Sequence, residues 1–308
     1  MNCELSLKEK LNILRIWFRE NSKLPEEIDT TYLKRFLKCM KGDVEKTKKL
    51  IEHNYYLRSK SPAIFFDRDP NEEVTKKSYF AVEMVPLPGL TPEKYKVLCF
   101  RLVNKNPRTQ NSIEESKSFF MMTDVRFTYN DLQENFDELG NKDHDDKSDK
   151  HDIENEEQEE EDDLSSLANG EIHIVDIANY TLRHLASMSL MVMRTYMNYL
   201  QEAYPVRLKA MHIINCPTHL NHMVAITKPF IREEVFNMIH FHIQGFETLY
   251  EHVPRNMLPM DYGGKAKSLA DITTQWWEIV KKNRAYIMNP KFWNVHKTEE
   301  VRSRWSWW

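Results

Sequence analysis

The sequence predicts an α/β fold, a mostly parallel sheet with crossover helices, preceded by a small all-α unit. Three observations carry this. Short β-branched or aromatic runs recur after residue 62: KVLCFRLV (96–103), EIHIVDI (171–177), AMHIIN (210–215) and MIHFHI (238–243). Amphipathic stretches at about 112–135, 182–203 and 218–237 separate them, and such alternation requires crossovers and parallel pairing. Before Pro62, by contrast, apolar residues repeat only at helical spacing.

Taken in order, Leu5, Leu7, Leu11, Leu14, Ile16, Trp17 and Phe18 form one stripe and predict a helix over 5–20. Pro25 and Asp29-Thr30 mark a turn and a helix start, and Tyr32, Leu33, Phe36, Leu37 and Met40 follow at three- or four-residue spacing. Gly42-Asp43 stops that helix, and a third runs from Val44 to Leu57, anchored by Leu50, Ile51 and Leu57. The resulting division is a helical domain over 1–75, a sheet domain over 76–280 and a C-terminal tail over 281–308. Within the sheet domain, residues 140–169 read as an acidic disordered insert.

Charge sharpens that reading. Residues 143–163 hold thirteen Asp or Glu against Lys147 and Lys150, a local charge of −11 in a chain of net −4, which leaves a body of +7. Such a run lacks apolar anchors and reads as a solvated spacer, or as an electrostatic brake on docking to anionic membranes. A mildly basic body suits an anionic membrane surface or nucleic acid, but a charge of +7 spread over the rest of the chain argues weakly for either, and nucleic acid is not expected as a partner. Cys3, Cys39, Cys99 and Cys216 have no metal or redox spacing and read as reduced intracellular thiols. The charged start excludes an ordinary secretory signal, and no run approaches the roughly 18 apolar residues of a spanning helix. The expectation is a monomeric cytoplasmic protein.

The stretch EAYPVRLKAMHIINCPTHL (202–220) concentrates apolar surface on both arms of a strand-to-helix joint, with no catalytic group between them. Helix 182–203 offers Leu185, Met188, Val192, Tyr196, Tyr199 and Leu200; the strand offers Met211, Ile213 and Ile214. After Pro217 come Leu220, Met223, Val224, Ile226, Thr227, Phe230 and Ile231. A sheet covered on both faces accounts for such surface as core or as the wall of a pocket. No nucleophile elbow, phosphate loop or dinucleotide fingerprint appears, so neither an enzyme nor a cofactor is expected. His219 and His222 could share a helix face, but no third ligand follows, and His212, His240 and His242 read as core histidines; no metal is expected. Asp176, at a strand end, reads as a capping or ion-pairing residue.

Several phrases resemble the CRAL-TRIO lipid-binding and transfer family, of the cellular retinaldehyde-binding and α-tocopherol transfer type. YLKRFLKCMKGDVEKTKKLI is similar to the family's LxRFLxA helix followed by DVEKA, and FFDRDP (65–70) stands where a similar phrase is common. GEIHIVDIANYTLRHL resembles its G…D-x-x-G strand, with Asn179 in place of the last Gly. LQEAYPVRLKAMHIINCPTHLNHMVAITKPFI resembles YPxRxKxxHxxNxP…KPF, and LPMDYGG (258–264) resembles LPxEYGG.

The resemblance implies that helix 218–232 is a movable gate over an apolar cavity floored by the sheet and walled by helix 182–203. The expected lining is Phe120, Thr123, Tyr180, Met188, Tyr196, Tyr199, Leu200, Tyr204, Leu208 and Met211, with Tyr hydroxyls or Thr123 bonding one polar head. The expected gate residues are Leu220, Met223, Val224, Thr227, Phe230 and Ile231. Arg207, Lys209, Lys228 and Arg232 flank the gate and are expected to meet anionic headgroups. Tocopherol-type members carry further basic residues for phosphatidylinositol bisphosphate after KPF; here Glu233, Glu234 and Met238 stand in that vicinity. The implied function is non-enzymatic carriage of a retinoid (retinal), a vitamin E-like molecule or a phospholipid between membranes, with peripheral membrane contact. The alternative is the same fold acting as a scaffold or small-GTPase regulatory module. The C-terminal RWSWW would suit a membrane interface.

Overall fold

The computed structural model describes residues 5–132 and 164–295. Helix α1 (Leu7–Glu20) begins in a capping box: the Ser6 hydroxyl accepts from the Glu9 amide, and the Glu9 carboxylate accepts from the Ser6 amide. Asp29 and Asp43 cap α2 (Thr30–Cys39) and α3 (Val44–Lys60) in the same sense, each accepting the amide three residues on. Short helices α4 (Pro62–Phe65) and α5 (Glu73–Tyr79) lead into the sheet.

Five strands follow in the order β1 (Val82–Pro86), β2 (Tyr95–Leu102), β3 (Gly170–Asp176), β4 (Leu208–Ile214) and β5 (Ile239–Phe241). β2 to β5 pair in parallel, while β1 adds antiparallel to β2. The four strands expected from sequence are present; β1 is additional. It is a five-residue edge strand ending in Pro86, a residue that weakens the strand signal yet suits an edge.

The crossovers are α6 (Ser112–Arg126), then α7 (Leu182–Ser187) with α8 (Leu190–Glu202), then α9 (Leu220–Thr227) with α10 (Glu233–Phe236). Two helices expected as continuous are therefore broken. Between α7 and α8, Met188 is extended (φ −70°, ψ 134°) and the Ser189 hydroxyl caps α8 by accepting the Val192 amide. After α9 the chain passes through a 3₁₀ turn, Lys228–Phe230, where Pro229 has no amide to continue the helix.

Residues 281–295, read from sequence as the start of a tail, pack back on the helical unit. Here α11 (Leu269–Lys282) leads to α12 (Arg284–Met288) and α13 (Pro290–Trp293), which bury Tyr286, Ile287 and Trp293. The Arg284 guanidinium donates twice to Asp69 (2.8 and 2.6 Å), and the Glu27 amide donates to the Lys291 carbonyl. RWSWW lies outside the described residues. Of 140–169, only 164–169 are described: Leu167 is buried, and the Ala168 amide donates to Asp131 (2.8 Å).

Two buried ionic knots join the helical unit to the sheet domain. Asp124 accepts from Arg58 (2.9 and 2.5 Å) and Arg68 (2.7 Å), and Arg58 also donates to the Tyr199 hydroxyl (2.6 Å). Asp131 accepts from Arg35 (2.6 Å) and Arg126 (3.4 Å), while Arg126 also pairs with Glu171. An apolar cluster encloses the first knot, with Phe65 and Phe120 rings 4.5 Å apart.

Candidate functional site

Residues paired across a parallel ladder share a face, so the strand registers sort the sheet into two sides. Phe100, His173, Val175, Met211, Ile213, Ile239 and Phe241 lie on one side; Ile174, His212, Ile214 and His240 lie on the other. Over the β2–β3 half of the first side stand α6 and α8. Phe119 meets Phe100 (ring centroids 5.9 Å) and Tyr196 (5.3 Å), and Phe120 meets Tyr196 (5.4 Å) and Tyr199 (4.9 Å).

Over the β4–β5 half stand α7 and α9. There a separate, small apolar cluster has only Ile177, Leu185, Ile213 and Met223 buried. Around it Val175, Tyr180, Met188, Met211, Leu220, Ile239 and Phe241 stay half-buried. Such loose filling on an inward sheet face is unlike the tightly buried core next to it.

Two tyrosines make the point sharper. Tyr180 and Tyr196 are half-buried by surface, yet burial pushes the Tyr180 phenol up to about 12 and the Tyr196 phenol higher still. Among the described residues, neither hydroxyl has a hydrogen-bond partner. Both side chains are thus enclosed by protein yet keep accessible area. The candidate site is therefore the space between this sheet face, α7–α8 and α9.

Residues 153–264 match the family model described as CRAL/TRIO domain. That stretch of the chain is similar to a CRAL/TRIO domain. Residues 4–75 match a second model, described as Pinta-like, UBA domain, and coincide with the helical unit. Alpha-tocopherol transfer protein-like of Mus musculus is 25% identical over 264 residues, 85% of this chain and 65% of the relative. The Homo sapiens protein of that name is 24% identical over the same shares. The chain thus spans 65% of the length of these curated relatives. Clavesin-2 of Rattus norvegicus is 25% identical over 96 residues, 31% of this chain and 29% of the relative. The crystal structure of Sfh5 has the same fold, with a TM-score of 0.50 and 14% identity over 92% of this chain and 99% of that one.

Within this frame the expected lining residues divide. Tyr180, Met188, Tyr196, Leu200 and Met211 are half-buried around the space described, and Leu208 is half-buried at the amino end of β4. Phe120, Thr123, Tyr199 and Tyr204 are buried in the wall behind it. The Tyr199 hydroxyl is taken by Asn54 (2.8 Å) and Arg58, and the Tyr204 hydroxyl accepts from Arg126 (3.1 Å) and donates to Glu171 (3.4 Å). Those two phenols therefore hold the ionic knots together. The Thr123 hydroxyl is buried without a partner among the described residues. The signal in the sequence was Asp124 and Arg126 inside the apolar run FFMMTDVRF: buried charges need partners, and nearby tyrosines supply them. Phe100, His173, Val175, Ile239 and Phe241 also share the site's face, and alternation along the expected strands would have found them.

The expected gate maps onto α9 and the turn after it. Met223 is buried, and Leu220, Val224, Thr227, Phe230 and Ile231 are half-buried, while His222, Ala225 and Ile226 face out. Gln201 of α8 fastens the far end, donating to the Phe230 carbonyl (3.0 Å) and accepting from the Arg232 amide (2.7 Å). Of the basic residues, Arg232 pairs with Glu202 and Arg207 donates twice to the Cys39 carbonyl (2.9 and 2.6 Å). Lys209 lies over the Tyr95 ring (5.7 Å) and Lys228 over Phe236 (4.8 Å), all four remaining exposed to solvent.

Asp176 caps the end of β3, accepting from the Ala178 amide (2.9 Å) and the Tyr262 hydroxyl (3.0 Å). It thereby ties that strand to the LPMDYGG turn. A cleft of about 20 Å³ beside Arg35, Cys39 and Arg207 is a separate feature, with room for little more than one water. Among the described residues no His, Cys, Asp and Glu group is arranged to hold a metal, and no helix is long and apolar enough to cross a membrane.

Proposed function

We propose that the chain is a non-enzymatic carrier that holds one hydrophobic small molecule between the sheet face and α9 and transfers it between membranes. The observation that carries this is the pair of desolvated, half-buried phenols, Tyr180 and Tyr196, set among Met188, Leu200 and Met211. The named likeness to proteins called alpha-tocopherol transfer protein-like supports the same reading.

The polar groups at this site also bear on the ligand's head. Two phenols can donate to, or accept from, a hydroxyl or carbonyl. Of the buried cations on this side of the sheet, Arg126 is engaged by Glu171 and Asp131, and the Lys96 ammonium donates to the Gly89 and Asp131 carbonyls (both 3.1 Å). A phosphate or carboxylate head would therefore enter without a free positive partner, at a large desolvation cost. A neutral retinoid or tocopherol-like molecule fits better than a phospholipid.

The energetics suit a carrier. A guest of roughly 20–30 carbons gains well over ~10 kcal/mol on leaving water, at about 0.8 kcal/mol per buried methylene, but almost nothing on leaving a bilayer. The site therefore has to equal the bilayer as a solvent, and opening α9 exposes apolar surface that only a membrane can cover. Release is thereby coupled to docking.

Native mass spectrometry with organic extraction is expected to show one neutral lipid per chain. Leu200→Trp fills the space beside Tyr196 and is expected to lower occupancy more than tenfold while leaving the circular dichroism spectrum intact. Unchanged occupancy in the folded variant would refute this site. For docking, Lys209→Glu with Lys228→Glu is expected to cut flotation with anionic vesicles about tenfold or more, each lysine being worth about 1 kcal/mol at such a surface. Equal flotation of the variant and the parent would remove electrostatic docking from the reading.

A further inference from the structure

On the sheet side opposite the candidate site, four imidazoles meet. His212 of β4 has its ring centroid 5.1 Å from His240, 5.2 Å from His242 and 4.8 Å from His252. His240 and His242 belong to β5 and its end, and His252 follows the 3₁₀ turn Phe246–Glu251. The rings of His212, His240 and His252 lie within 19–32° of parallel, so they stack and their nitrogens do not converge on a common point.

The hydrogen bonds assign the protons. The Thr248 hydroxyl donates to the Gly245 carbonyl (2.9 Å), so at 2.6 Å it accepts from Nδ1–H of His242. His242 Nε2 is then bare and accepts from Nδ1–H of His212 at 3.0 Å. In this arrangement a proton added at its Nε2 would set N–H against N–H, and the side-chain link between β4 and β5 could re-form only once the His212 proton left Nδ1 for Nε2.

We propose that this imidazole cluster is an acid-operated clasp, which holds β5 and residues 246–252 against β4 at neutral pH and frees them below about pH 6. The clasp stands on the cluster's geometry alone; its consequence for the ligand rests on the carrier reading, because Ile239 and Phe241 of β5 line the candidate site from the other side. β5 is three residues long and pairs with β4 only, while the segment after it is anchored by Leu249 and Val253 in the core and by the Tyr250 hydroxyl on the Tyr262 carbonyl.

The groups facing the cluster oppose its charging. Burial, then His252, His242 and His240, hold His212 down to about 3, and burial with His252 and His240 lowers His242. Glu251 is the carboxylate that favours a charged His242, and it does not outweigh them. From β3, Ile174 lies beside His212, and the nearby Asp176 is taken by Ala178 and Tyr262; the Cys216 thiol approaches the His242 backbone. Both imidazoles titrate lower folded than free. Their stabilisation is complete above the free value near 6.5 and is lost as pH falls below it, the freed segment binding the extra protons. At pH 5.5, His212 alone shifts the opening equilibrium about tenfold.

Hydrogen–deuterium exchange on the full chain at pH 7.4 and 5.5, corrected for intrinsic rates, tests this without any ligand. Protection of 239–253 is expected to fall at least tenfold more than that of β2 and β3. His240→Asn with His252→Gln, both at exposed positions, is expected to diminish that excess, burial of His212 and His242 supplying the remainder. A uniform loss across the sheet, or an undiminished response in the folded double variant, would overturn the clasp. Ligand occupancy at pH 7.4 reports on the carrier reading separately.

Discussion

Asp124→Ala is expected to lower the unfolding free energy by about 3–5 kcal/mol, the range for removing one partner of a buried ion pair. Asp124 is fully buried and neutralises two buried guanidinium groups, Arg58 and Arg68, which the substitution would leave uncompensated. Burial alone would push the Asp124 carboxyl up; Arg58 and Arg68 outweigh it and hold it below the usual carboxylate range. Its contribution is therefore present above about pH 4 and is lost as acid protonates it below that. Urea denaturation at pH 7 measures the first effect and a series down to pH 3 the second. A loss under about 1 kcal/mol would mean that water or rearrangement already screens the two arginines. Because Arg58 also binds Tyr199 of α8, the variant is further expected to loosen the helical unit from the candidate site's wall.

Gly264→Ala is expected to cost about 3 kcal/mol, the upper end of the usual range for overpacking. A Cβ there would lie 1.9 Å from the Leu258 carbonyl oxygen, 2.4 Å from its carbon and 2.7 Å from the Arg255 carbonyl oxygen. All three are backbone atoms and cannot swing aside. The neighbouring Gly263 has the other glycine requirement, a left-handed backbone (φ 68°), and Gly263→Ala is expected to cost roughly 1–2 kcal/mol. A Cβ at Gly263 would also lie 2.6 Å from the Tyr250 hydroxyl, a side-chain atom, whereas the atoms met at Gly264 are all backbone. Gly264→Ala should also weaken the bond from Tyr262 to Asp176 and so unsettle the end of β3, detectable as faster amide exchange there. A midpoint shift equivalent to less than 0.5 kcal/mol would show that the turn yields more easily than its backbone contacts suggest.

Period and punctuation in the sequence determined the strands at 95–102, 170–176, 208–214 and 239–241, the three helices of the first unit and the apolar arms around residue 210. These are local properties, since a two-residue or near-four-residue repeat states which side of an element is apolar. The packing of residues 281–295 and the antiparallel β1 were not legible, because their partners lie far away in the chain. The tyrosines mark the same limit within the site. Tyr180, Tyr196, Tyr199 and Tyr204 look alike in the sequence, yet two bond buried ionic knots and two stay half-buried with no such bond. Only the tertiary structure decided between them, because a phenol's role depends on which charges the crossovers bring within hydrogen-bonding distance. The histidine cluster likewise draws on residues 212 to 252, and parallel pairing of β4 with β5 is what stacks those rings.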